Sequence, residues 1–373
     1  MELKLDNSKT YAIALEGGGA KGSYEVGAWI ALAEAGIKYN AVSGTSVGAL
    51  NGALMVMGDI SRAISCWKDI RLSRVIELDT DEEEDMKKML SGDLELSDID
   101  DIIPQAFEII RNRGLDIGPL RKWIREIVDE KTIKESDVEL YVSTVSLDKL
   151  RILEIKINDL PEDQICDMLL ASAYHPSFRL EKLGGKLYAD GGLADSIPIH
   201  ALVSRGYKDI IAVRIPGNGR ERHFKMPDDV NLTVIDTDFD LGGVLYFDST
   251  QARRDMEIGY FDTKRVLYGL YGQRYCIDRT MGEQDALNVL LSRFWDEKSG
   301  FTLRDMCEKE LPRVAKKLGM EKDGYYEMMV AVLELEAELL RLDWRKIYTD
   351  TEFLREIEKS EREEGRPQQI SEL

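Results

Sequence analysis

Residues 11–15 (YAIAL) form an unbroken apolar run, followed by three glycines, a lysine and a fourth glycine. Apolar positions then recur at helical spacing over residues 22–35 (GSYEVGAWIALAEA). A short apolar run bounded by glycine predicts a buried strand, and the longer stretch a helix that stops at Gly36. The pattern then repeats: residues 40–43 (NAVS) predict a second strand, which enters GTSVGALNGALMVMG, a glycine-marked turn and a helix of small residues. Strand, tight turn and helix, twice within 57 residues, predict a parallel α/β sheet with right-handed crossovers.

Farther along, residues 117–129 predict a helix with Pro119 near its start. Strands are expected at 138–147 and 151–157, a helix at 161–173, a buried strand at 210–215 and one more strand at 232–236. Between 174 and 209 the pattern reads as loop, short hairpin, glycine turn and helix. After about residue 250 it is helical, almost wholly so from 285 to 357, and residues 356–373 read as a charged, frayed tail. The chain therefore divides into an α/β domain over 1–250 and a mainly helical region over 251–373.

Composition narrows the function. Fifty basic against seventy acidic residues leave a net charge of −20, which argues against nucleic acid, whose phosphates need clustered Lys and Arg. It also argues against broad adhesion to anionic membranes, while leaving transient contact through an apolar rim open. Residues 76–101 are heavily acidic and are expected to form a solvated insertion; they lack the spacing of a calcium loop. Cys66, Cys166, Cys276 and Cys307 are too scattered for a zinc site or a disulfide framework, so no metal and no cofactor are expected. With no signal-peptide pattern and no long uncharged apolar run, the expected location is the cytoplasm.

Two glycine-marked turns carry the candidate chemistry. Gly17, Gly18, Gly19, Ala20, Lys21 and Gly22 open a helix, an arrangement that can hold a phosphate or a transient oxyanion. The second turn reads Gly44, Thr45, Ser46, Val47, Gly48, a G-x-S-x-G placed between strand and helix, which marks Ser46 as a nucleophile. A serine needs a base. The chain has three histidines, His175, His200 and His223. Ser46–Asp190–His200 has the chain order of an α/β-hydrolase triad, but a nucleophile on the second strand leaves no room for the sheet that precedes it in that fold. Asp190 is the better base. It sits at a strand end before Gly191 and Gly192, a tight turn that exposes its carboxylate to close approach.

Together, GGGAKG (17–22), GTSVG (44–48) and DGG (190–192) resemble the patatin-like phospholipase family over roughly residues 9–216, with ASAYHPSF and DSIPI in matching places. The resemblance implies a three-layer α/β/α fold around a mainly parallel sheet, a Ser46–Asp190 dyad without histidine, and an oxyanion hole in the Gly17–Gly22 loop. It further implies hydrolysis of lipid acyl esters. Asp195-Ser196 departs from the asparagines common after the family's DGG, and neither the acidic stretch nor the C-terminal helices are covered. On this reading a bulky residue at Gly18 or Gly19 harms rate more than stability. The rival enzyme class, a nucleotide-binding oxidoreductase, needs an acidic residue about 20 positions beyond the glycine loop, and IKYNAVSGTS supplies none. A non-catalytic scaffold of the same fold is the remaining alternative.

Overall fold

The computed structural model describes residues 1–77, 114–217, 219–294, 302–320 and 324–365. Most of the acidic 76–101 segment lies outside them. The chain forms two compact units, one of residues Asp6–Thr263, the other of Met1–Leu5 with the described part of Lys264–Leu373.

In the larger unit, strand β1 (Thr10–Leu15) leads through the glycine loop into helix α1 (Ser23–Glu34), then β2 (Lys38–Thr45), α2 (Val47–Met57) and α3 (Ile60–Lys68). There follow α4 (Gly118–Ile127), α5 (Glu130–Glu135), β3 (Glu139–Ser146), β4 (Arg151–Lys156) and α6 (Glu162–Ser172). The unit continues with β5 (Tyr188–Asp190), α7 (Ile199–Val203), β6 (Asp209–Val213) and β7 (Asn231–Ile235), and helix α8 (Ser249–Tyr268) starts within it. The sheet order is β4-β3-β2-β1-β6-β7. Every pairing from β3 to β7 along it is parallel, and β4 closes the β3 edge in antiparallel sense.

Alternate residues of β1 face opposite ways, which is why an unbroken apolar run suits a strand covered on both faces. Ala12 and Ala14 join Ala41, Ile210 and Ala212 beneath α7, which contributes Ala201 and Leu202. On the opposite face α2 lies so close that a β-carbon added at Gly52 would touch Leu140 and Val42 at 3.1 Å. The expected mainly parallel sheet flanked by helices is therefore present. The strand order reverses at β1, between β2 and β6, and the carboxyl ends beside such a reversal form the usual crevice of an open α/β sheet.

Strand β5 positions the site. β3 offers β2 one edge only as far as Ser143, which pairs with Thr45. From Thr144 onward that edge is taken by β5, antiparallel, with Thr144 opposite Asp190. Consecutive residues of β3 thus hold the end of β2 and the end of β5 side by side.

The smaller unit departs from a wholly helical pattern. Cys276–Asp278 (β8) pairs in parallel with Ile347–Thr349 (β9), strands too short to show a period of two. Between them lie Glu283–Phe294 (α9), Leu311–Lys317 (α10) and Tyr325–Leu339 (α11). Residues 356–364, expected as frayed tail, belong to the helix Asp350–Glu364 (α12). Thr349 and Glu352 form a capping box at its start, and Phe353 and Ile357, one turn apart, are fully buried. Among the described residues no helix is long and apolar enough to cross a membrane.

Candidate active site

Ser46 occupies the sharp turn from β2 into α2, with φ 54° and ψ −120°, a conformation that a non-glycine residue adopts only when its surroundings hold it there. Crowding explains the flanking glycines: a β-carbon at Gly44 would lie 2.3 Å from the Gly48 carbonyl oxygen, and one at Gly48 would lie 2.6 Å from that of Leu15. The amide of Ser46 donates to Ser172 Oγ at 2.9 Å, and that hydroxyl donates to the Ser143 carbonyl at 2.6 Å. Thr45 Oγ1 donates to the Asp195 carbonyl at 2.9 Å. The elbow is therefore tied to β3, to the end of α6 and to the segment after the aspartate.

The Ser46 hydroxyl donates to Asp190 Oδ2 at 2.7 Å, and the other carboxylate oxygen accepts the Gly192 amide at 2.7 Å. Asp190 is buried, and this burial raises its carboxyl from 3.8 to about 6, against the opposing pull of the Ser46 and Gly192 hydrogen bonds. Its own amide donates to the Tyr174 carbonyl at 2.9 Å. Close packing also requires Gly191, whose added β-carbon would meet the Ser143 carbonyl oxygen at 2.4 Å.

The glycine loop divides by what its amides bind. Gly17, Gly18 and Gly19 line the same cavity as Ser46 and Asp190. The amides of Gly17, Ala20 and Lys21 are occupied, by the carbonyls of Ser196 (2.8 Å), Val244 (2.8 Å) and Gly18 (3.3 Å). The amides of Gly18 and Gly19 have no protein acceptor among the described residues. This narrows the expected donor set, because an amide already paired to a carbonyl cannot turn to an oxyanion. It also leaves the loop poorly suited to cradle a pyrophosphate. Lys21 holds the loop through its ammonium group, which donates to the Pro216 carbonyl. Gly22 lets α1 begin against the elbow, since a β-carbon there would lie 2.4 Å from Val47.

Gly18 and Gly19 differ in how they tolerate a side chain. At Gly18 the obstruction is the tip of Ile215, at 2.8 Å. At Gly19, with φ 59°, it is the Val244 backbone carbonyl at 2.0 Å. A side chain at Gly19 would have to displace backbone, whereas one at Gly18 meets the end of a side chain, so the two glycines differ in the stability cost expected on substitution.

The cavity encloses about 180 Å³ within the larger unit, and its apolar wall comes from Leu50, Trp67, Val75, Leu120, Trp123 and Phe178. Both tryptophans of that wall come from helices, Trp67 from α3 and Trp123 from α4. His200 pairs with Glu154 at 2.8 Å and does not line the cavity. His175 does line it, with Nδ1 engaged by Ser177. Sequence reasoning missed Ser172 and His175 as parts of the site. The available signal was a hydroxyl and an imidazole in ASAYHPSF, the segment leading toward the aspartate.

Ser196 and Glu16 support the loop from beneath. The Ser196 carbonyl takes the Gly17 amide, and Glu16 Oε2 accepts the Ile215 amide at 2.9 Å. Burial raises the Glu16 carboxyl, with Arg214 opposing. Chemically, the assembly offers a hydroxyl aligned on a buried carboxylate, two unoccupied amides nearby and an apolar recess.

A family model described as patatin-like phospholipase matches residues 13–203. Among solved structures, VipD from Legionella pneumophila is similar at 17% identity and a TM-score of 0.38, over 90% of this chain and 81% of that one. No curated protein matches the sequence.

Proposed function

The chain belongs to the patatin-like phospholipase family of lipid acyl hydrolases, and from that premise we propose that it cleaves acyl esters of lipids by a Ser46–Asp190 dyad through an acyl-enzyme. The observation that carries the proposal is the 2.7 Å hydrogen bond from the Ser46 hydroxyl to Asp190. Ser46 Oγ attacks the ester carbonyl carbon while Asp190 takes its proton, and the carbonyl electrons move onto oxygen. The amides of Gly18 and Gly19 receive that oxyanion; one such donor typically contributes about 10²–10³ in rate. As the intermediate collapses, the bond to the alcohol oxygen breaks and Asp190 returns the proton to it. Water then attacks the acyl-serine, Asp190 again takes a proton, and Ser46 leaves with it as the free acid forms.

The apolar wall accommodates the acyl chain. Leu193, which follows the Asp-Gly-Gly turn, lines the cavity and is 46% exposed, so it offers an apolar contact for a lipid surface. We therefore read the protein as a cytoplasmic enzyme that touches membranes transiently. Ser46→Ala and Asp190→Asn should each abolish hydrolysis of p-nitrophenyl acyl esters while the protein stays folded. A fluorophosphonate should label the wild type and not Ser46→Ala. Near-full activity in either variant would sink the dyad.

A further inference from the structure

The cavity wall contains one imidazole that the mechanism above does not use. The Ser177 amide donates to His175 Nδ1 at 3.3 Å, and the Ser177 hydroxyl lies 2.8 Å from the same nitrogen. A nitrogen that accepts a backbone N–H carries no proton, so the ring's proton sits on Nε2. Burial lowers the His175 pKa from 6.5, which keeps the ring neutral. Phe178 packs edge-on against it with centroids 5.9 Å apart, limiting its rotation. His175 is half-buried in the wall of a largely apolar cavity, and among the described residues no protein group takes its Nε2–H, which leaves that hydrogen bond to water or to a guest's oxygen.

The side of the substrate it meets follows from the proton's path. Asp190 must hand a proton to the departing oxygen, so the alcohol portion of the ester leaves on the Asp190 side of Ser46. Tyr174, whose carbonyl accepts the Asp190 amide, immediately precedes His175 in the chain. Resting on the hydrolase reading above, we propose that His175 is a specificity-determining residue whose Nε2–H holds an oxygen on the carbon next to the scissile ester. The enzyme thereby favours esters of polyols such as glycerol over esters of simple alcohols.

The test compares the glycerol monoester and the propyl ester of one short acyl chain, substrates that differ only in hydroxyl groups on the alcohol. In His175→Phe, KM for the glycerol ester should rise about 3- to 10-fold, as expected for loss of one neutral hydrogen bond. Its kcat should stay within about twofold, and kcat/KM for the propyl ester should change by less than about twofold. His175→Gln, which restores an N–H near the position of Nε2, should recover most of the loss. Equal losses on the two substrates would reduce His175 to a structural role, and no loss on either would remove it from the site. A measurement independent of turnover uses uncleavable analogues, the glycerol monoether and the propyl ether of the same chain, titrated calorimetrically. The glycerol ether should bind more tightly to wild type, with that preference lost in His175→Phe and regained in His175→Gln. Absence of any preference in wild type overturns the proposal even if no ester is cleaved, whereas the dyad stands or falls on Ser46→Ala alone.

Discussion

Replacing Asp190 with Asn should disable the enzyme and stabilise it, and the gap should depend on pH in one direction. Burial lifts the Asp190 carboxyl from 3.8 to about 6, so the folded protein resists its ionisation more than the unfolded chain does. For a carboxyl whose folded pKa lies above its unfolded value, the favourable contribution is complete below about pH 4 and is lost as pH rises through about 6. At about 1.4 kcal/mol per pH unit, the span from 3.8 to about 6 amounts to about 3 kcal/mol against the wild type at pH 8. Asn can keep the local geometry. Its Oδ1 still accepts the Gly192 amide, and its Nδ2 donates to the Ser46 hydroxyl. Thermal melts of both proteins from pH 4 to 8 should therefore coincide near pH 4 and separate by several degrees above pH 6, at about 2–4 °C per kcal/mol. Under the proposed dyad the same carboxyl sets the acid limb of catalysis. Wild-type kcat/KM should fall about tenfold per pH unit below about 6, because the base must be ionised to accept the Ser46 proton. An Asn variant that melts below wild type at pH 8, or a kcat/KM flat from pH 4 to 8, would refute the reasoning.

Other substitutions separate positioning from chemistry. Ser172→Ala removes the acceptor of the Ser46 amide and should cost about 1–3 kcal/mol in stability, with a larger effect on kcat than on KM for p-nitrophenyl esters. Gly48→Ala drives a methyl against the Leu15 carbonyl and should lower both melting temperature and soluble yield. Gly18→Ala should lose rate with a small change in melting temperature, whereas Gly19→Ala should lose both, because it meets backbone rather than the end of a side chain.

The parts of the site legible in the sequence are those written in a single short segment. GTSVG declares an elbow because both glycines answer a local crowding problem, and GGGAKG declares a loop that brings backbone amides to a helix start. The DGG turn is legible as a turn, but the reason it meets Ser46 is not. That depends on β5 taking over an edge that β2 relinquishes at Ser143, a fact about three strands from distant segments. Ser172 and His175 were hidden for the same reason, since a hydroxyl in a helix and an imidazole in a loop acquire meaning only from what faces them. Which loop amides remain unoccupied depends on Ser196 and Val244, far along the chain. The short strands β8 and β9 and the extension of α12 escaped because a three-residue strand has no period and a charged helix of alternating sign resembles a solvated tail. Phe353 and Ile357 were the overlooked sign of a buried helix face.

The register of β3 also orders the birth of the activity in time. Ser46 and Asp190 stand 144 positions apart, so at about 5–20 residues per second the ribosome delivers Ser46 roughly 7–30 s before Asp190. During that interval the strand that aligns them arrives, and the segment that fills its remaining edge is still to come. A nascent or prematurely terminated chain ending before β5 carries an elbow serine with no carboxylate to accept its proton. On the proposed dyad, translation withholds the activity until most of the larger unit has been made, and abandoned chains pose no hydrolytic hazard to lipids.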